Sequence, residues 1–93
     1  MKVKKKPVVV NAWRLDSKKL RDRQSTIPSW VVDKLGVGSG VYFDYSNYRW
    51  YIYTLEGLMS AHDGDYLIQG IQGELYPCRE DIFGETYEVI EFD

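Results

Sequence analysis

After position 40 the sequence is punctuated by turn signals about every ten residues, a spacing that marks a meander of short strands. Ser46-Asn47, Glu56-Gly57, His62-Asp63-Gly64-Asp65 and Gln72-Gly73 each separate runs rich in aromatic and β-branched residues. Such short links can reverse a chain, but they cannot hold the crossover that parallel strands need. The second half is therefore expected to fold as antiparallel strands over 41–45, 48–55, 58–61, 66–71, 74–77 and 85–92. Ser46-Asn47 would be a two-residue hairpin turn with Asn47 at positive φ. Along 48–54 the set Tyr48, Trp50, Ile52 and Thr54 is the better core face, and Arg49, Tyr51 and Tyr53 lie on the other. Pro77 should end its strand, and residues 78–84 read as one helical turn closed by Gly84.

The first half is sparser. Residues 7–15, PVVVNAWRL, read as a strand that Pro7 can begin. Residues 16–26 form a polar loop able to make one helical turn capped by Asp16 or Ser17. Residues 27–36, IPSWVVDKLG, are the best helix candidate, with Thr26 as cap, Pro28 in the first turn and Gly36 at the stop. Ile27, Trp30, Val31 and Leu35 fall on one stripe. The expected architecture is α+β: a curved antiparallel sheet of five to six strands, able to roll into a partly open barrel, with the 27–35 helix covering one face or end.

A chain of 93 residues is expected to be one small domain, with residues 1–6 a frayed basic arm. The single Cys78 excludes an internal disulfide and a zinc site built on several thiolates. No apolar run approaches the roughly 18 residues of a membrane helix, and no signal peptide is read at the N-terminus. The expectation is a soluble cytoplasmic protein with no membrane partner.

The net charge of −2 conceals a segregation, because residues 1–23 carry +7 and residues 24–93 carry −9. The basic segment, with Arg14, Arg21, Arg23 and the N-terminal lysines, could bind phosphates, or it could simply be solvated. The acidic remainder and a pI of about 5.3 argue against a dedicated nucleic-acid binder. Three Trp, eight Tyr and three Phe are a heavy aromatic load for this length. Many of them sit on the 41–53 hairpin, whose strands alternate faces, so one core cannot bury them all. Tyr45, Tyr48, Arg49, Tyr51 and Tyr53, together with the arginines above, are the candidate binding residues. An oligomer interface is the commoner use of surplus Tyr, and base stacking is the other.

Catalytic constellations are weak. His62 is the only histidine and lies beside Asp63 and Asp65, which suits an acid–base pair but equally an exposed turn. Asp63, Asp65, Glu56 and Glu74 match no metal-loop spacing. Cys78 could be a nucleophile at the start of a helical turn, or a small buried residue. Gly70-x-x-Gly73 lies between strands and Gly36-x-Gly38-x-Gly40 follows a helix, so neither is a phosphate loop. No catalytic residue, metal or cofactor is expected.

The string GDYLIQGIQGELYPCREDIFGETYE, taken with KKPVVVNAWRL near the start and TLEG in the middle, resembles a widespread family of small phage and prophage proteins. It is more loosely similar to the phage family named for its Pro-Gly-Asp-Tyr-Gly motif. The residues that carry the likeness include Gly64, Asp65, Tyr66, Gly70, Gly73, Tyr76, Pro77, Phe83 and Tyr87, and the stretch 16–53 lies outside it. The resemblance implies a phage or prophage origin and action in the cytoplasm of a bacterial host, and it brings no catalytic residues. In physical terms the motif reads as scaffold, with glycines for turns and bulges and rings for the core.

These readings converge on a non-enzymatic accessory protein that occupies a host component. That component would be a host protein or a small nucleotide-type ligand, with a possible role in countering host defence, and the chain would be a homo-oligomer. The alternatives are a nucleic-acid binder using the basic N-terminal segment and, less favoured, a small enzyme.

Overall fold

The computed structural model describes residues 1–3, 7–22 and 26–91. Arg23 and Lys4 to Lys6 of the basic arm lie outside the described residues. Among those described, the chain runs β1 (Asn11–Arg14), α1 (Ser17–Arg21), α2 (Ser29–Val32), β2 (Val41–Asp44), β3 (Arg49–Thr54), β4 (Gly57–Ala61), β5 (Tyr66–Gln69), β6 (Leu75–Cys78) and α3 (Glu80–Thr86). No helix in the described residues is long and apolar enough to cross a membrane.

The strands are antiparallel, as the short links require, but they divide into two sheets of three rather than one curved sheet. One has the order β1-β5-β6 and the other β2-β3-β4. The division falls at the turn after Ala61. Leu15 donates its N–H to the Asp65 carbonyl at 2.8 Å and accepts from the Gly64 N–H at 2.9 Å. These bonds hand the chain to β1, so β5 pairs with β1 and not with β4.

Side-chain alternation sets the core. Trp50 and Ile52 of β3 are fully buried, with Val41 and Phe43 of β2 beside them. They join Trp13, Leu67 and Leu75 from the first sheet and Leu15 just beyond β1. Trp13 meets Trp50 edge-on at 5.7 Å, and Phe43 meets it at 5.2 Å. Deleting a buried Trp of this kind costs about 3–5 kcal/mol.

The helices differ from expectation in extent. α1 forms as anticipated, with the Asp16 side chain accepting from the Lys18 N–H. The 27–35 helix contracts to the single turn α2, and Pro28, not Thr26, stands at its cap. A nucleus this short gains little on its own, and Gly36 and Gly40 divert the backbone. Leu35 bridges Val41, and the Val41 N–H is given to the Lys34 carbonyl at 2.9 Å. The stripe still works, since Val31 is buried and Ile27, Trp30 and Leu35 are packed against the core.

Three expectations about the C-terminal third are corrected. Pro77 lies inside β6, opposite Leu67, because β6 is an edge strand of its sheet and one missing N–H is tolerated there. α3 continues through Gly84 to Thr86, where a Tyr87 N–H to Phe83 carbonyl bond of 2.9 Å closes it. Residues 85–91 consequently make no strand. The reason is tertiary: Phe83 stacks on Tyr66 at 3.7 Å and 8°, and Tyr87 follows on Phe83 at 5.2 Å. The Tyr76 and Tyr87 hydroxyls meet at 3.2 Å. α3 thus covers the outer face of the first sheet, where Ile68 is fully buried.

Candidate functional site

The outer face of the second sheet carries the rings left over from the core. Alternation opposite Trp50 and Ile52 places Tyr51, Tyr53 and Arg49 of β3 outward, with Tyr42 and Asp44 of β2 and Leu58 and Ser60 of β4. The register sets Tyr42 against Tyr51, Asp44 against Arg49 and Tyr53 against Leu58. Tyr42 and Tyr51 stack at 5.3 Å and 21°, and Tyr53 lies 6.3 Å from Tyr42. The Asn47 amide donates to the Tyr51 hydroxyl at 2.7 Å, which fixes that ring. Desolvation raises the Tyr42 phenol pKa above its usual 10.0, with further contributions from Tyr53, Tyr51 and Asp44. Asp44 accepts from the Ser46 hydroxyl and N–H, and these bonds hold its carboxyl below the usual range.

The helices are engaged elsewhere. α1 and α2 apply Leu20, Trp30 and Val31 to the core, and α3 lies on the first sheet. Among the described residues no helix covers the aromatic face of the second sheet, and Tyr53 and Leu58 are exposed.

The structure brings together only some of the anticipated binding residues. Arg49, Tyr51 and Tyr53 share the open face, and Tyr42, absent from that set, completes their cluster. Tyr45 and Tyr48 do not join it. The hairpin turn takes four residues, 45–48, and is closed by a Tyr48 N–H to Asp44 carbonyl bond of 2.8 Å. Tyr48, not Asn47, adopts the left-handed conformation at φ 57. Both rings turn edge-on to Phe43, at 4.8 and 5.3 Å, on the core side of the hairpin end. Arg14 lies on the first sheet with its guanidinium 3.4 Å from Glu80, and Arg21 lies 3.8 Å from Asp22. Arg14 on β1 and Arg21 on α1 are thus on other elements than the aromatic face. The signal for Tyr42 was its position two residues from Asp44 and one from Phe43, legible once the hairpin register is known.

The His62–Asp65 turn is a structural hub. The Asp63 carboxylate accepts from the Ser17 N–H at 2.9 Å, the Ser17 hydroxyl at 2.6 Å and the Trp50 indole at 2.7 Å. Partial burial pushes the Asp63 pKa up, but these three bonds outweigh it and hold the pKa below 3.8. Asp65 accepts from the His62 N–H and from the Glu80 N–H at the start of α3. The His62 ring stands exposed, 3.8 Å from Asp65. Both carboxylates are committed to holding elements together. Burial, followed by Asp65 and Asp81, pushes the Cys78 thiol pKa up, away from the thiolate a nucleophile needs. Among the described residues no group of three potential ligands could hold a metal ion.

Comparison with protein-family models, curated proteins and solved structures returns no match to this chain.

Proposed function

We propose that this chain is a non-enzymatic phage or prophage accessory protein, which acts in the cytoplasm of a bacterial host by stoichiometric binding of a host protein. The observation that carries the reading is the stacked Tyr42–Tyr51 pair with Tyr53, Leu58 and Arg49 on a sheet face that no helix of the described residues covers. Tyr and Arg are the residue types that anchor interfaces, since each joins apolar area to a polar tip. The phage assignment rests on the resemblance of the Gly64-to-Tyr87 motif. A role in countering host defence fits a small protein that works by occupancy.

A protein partner suits this face better than a nucleotide. Nucleotide sites are concave and place cations near the phosphates. Here Arg49 is the cation among the rings, while Arg14 and Arg21 are on other elements. Isothermal titration with cyclic dinucleotides, ADP-ribose and mononucleotides is expected to give no heat. A binding isotherm with any of them would replace the protein target with that ligand. The basic N-terminal segment supports a nucleic-acid reading only if a gel shift appears at low salt and fades steeply as salt rises.

A further inference from the structure

β1 pairs with β5 on one side only. Leu15, just beyond its end, directs its N–H and carbonyl toward the 64–65 turn, on the β5 side. Alternation along an antiparallel ladder then aims the peptide groups of Ala12 and Arg14 at the opposite edge. Among the described residues these groups take no backbone partner beyond the ladder. Among the described residues no strand pairs with this edge, so its outward peptide groups can accept an added strand. Its upstream continuation is Val8-Val9-Val10, with Val9 74% exposed.

This edge opens into a groove of about 400 Å3. β1 and α1 contribute Arg14 and Lys19 to it, and the segment after α3 contributes Glu88, Val89, Ile90 and Glu91. Val89 and Ile90 are exposed, at 51% and 70%. A surface that holds both signs of charge beside an apolar strip is complementary to itself across a two-fold axis, because the basic side of one copy meets the acidic side of the other. We infer that the β1 edge joins two copies of this chain. The two β1 strands pair antiparallel, the two three-stranded sheets become one continuous sheet, and the exposed valines and Ile90 of both copies close over the seam. The aromatic face lies on the other sheet and stays free, so this inference stands independently of the proposed function.

The test is the mass of the full chain by light scattering and sedimentation at about 100 µM, a concentration suited to an interface of modest size. The expected value is twice 10.9 kDa. Val9→Lys places a charge at an exposed position outside the core, and Ala12→Pro deletes a free-edge N–H without touching the β1–β5 ladder. Both are expected to give the monomer mass, and a retained far-UV circular dichroism spectrum for Val9→Lys separates lost pairing from lost fold. Raising salt from about 0.05 to about 0.5 M should weaken the dimer, because it screens the exposed charges. A monomer at all concentrations would overturn the inference. So would a dimer that survives Val9→Lys, one that dissociates on Tyr51→Ser, or a foreign chain found seated on the edge.

Discussion

Asp63 shows how one side chain can hold a small fold. Its carboxylate gathers α1 through Ser17 and β3 through Trp50, although it sits in an exposed turn. Replacing it with Ala leaves the buried Ser17 hydroxyl and the Trp50 indole without their acceptor. An unsatisfied buried group costs about 1–3 kcal/mol, so Asp63→Ala should lower stability by at least that much in a urea titration. The pH dependence has a definite sign. The pKa of Asp63 is lower folded than unfolded, so its stabilisation is complete above the usual 3.8 and fades as pH falls through the depressed folded value. Asp63→Asn, which cannot titrate, should flatten the acid limb of the stability curve below about pH 4. An unchanged acid limb would remove Asp63 from this role. The sequence offered the residue as part of a turn, as a neighbour of His62 and as an oxygen ligand, but not as a structural hub, because its partners are remote along the chain and lie on elements whose placement depends on the fold.

Strand identity was legible where alternation was strong. Trp50 and Ile52 inward against Tyr51 and Tyr53 outward followed from a period of two. The turn at 45–48 was less legible, because local residue types suit both a two-residue and a four-residue link and only the register decides. The C-terminal segment misled for a different reason. Its alternation suits a strand, but the Tyr66–Phe83–Tyr87 stack rewards a helix that spaces Phe83 and Tyr87 four residues apart. The loop between α2 and β2 depends on Gly40, which holds φ +82 and whose added Cβ would run into the Lys34 carbonyl. Gly38 has φ +96 and open space around it. Left-handed backbone costs a non-glycine residue about 1–2 kcal/mol. Gly38→Ala should therefore lose that much in thermal or chemical denaturation, and Gly40→Ala distinctly more. Equal losses would mean that the close approach to Lys34 has no energetic weight.

The molecule as a whole is two small sheets around one core, with one outer face roofed by α3 and the other aromatic and, among the described residues, without a helix over it. The roof could not be foreseen from the sequence, since nothing local tells which sheet a seven-residue helix will cover. The surplus of rings was foreseen, and its concentration at Tyr42, Tyr51 and Tyr53 is what gives the account a location. Tyr51→Ser with Tyr53→Ser removes two outward rings and leaves Trp50 and Ile52 in place, so the fold should be retained. The decisive measurement is affinity capture from a bacterial host extract with the native chain and this double variant side by side, each checked for folding. One species should be retained in stoichiometric amount by the native chain and reduced at least about tenfold with the variant, the loss of roughly 1.4 kcal/mol or more that hot-spot rings carry. Equal retention by both, or nothing held by the native chain, would contradict it.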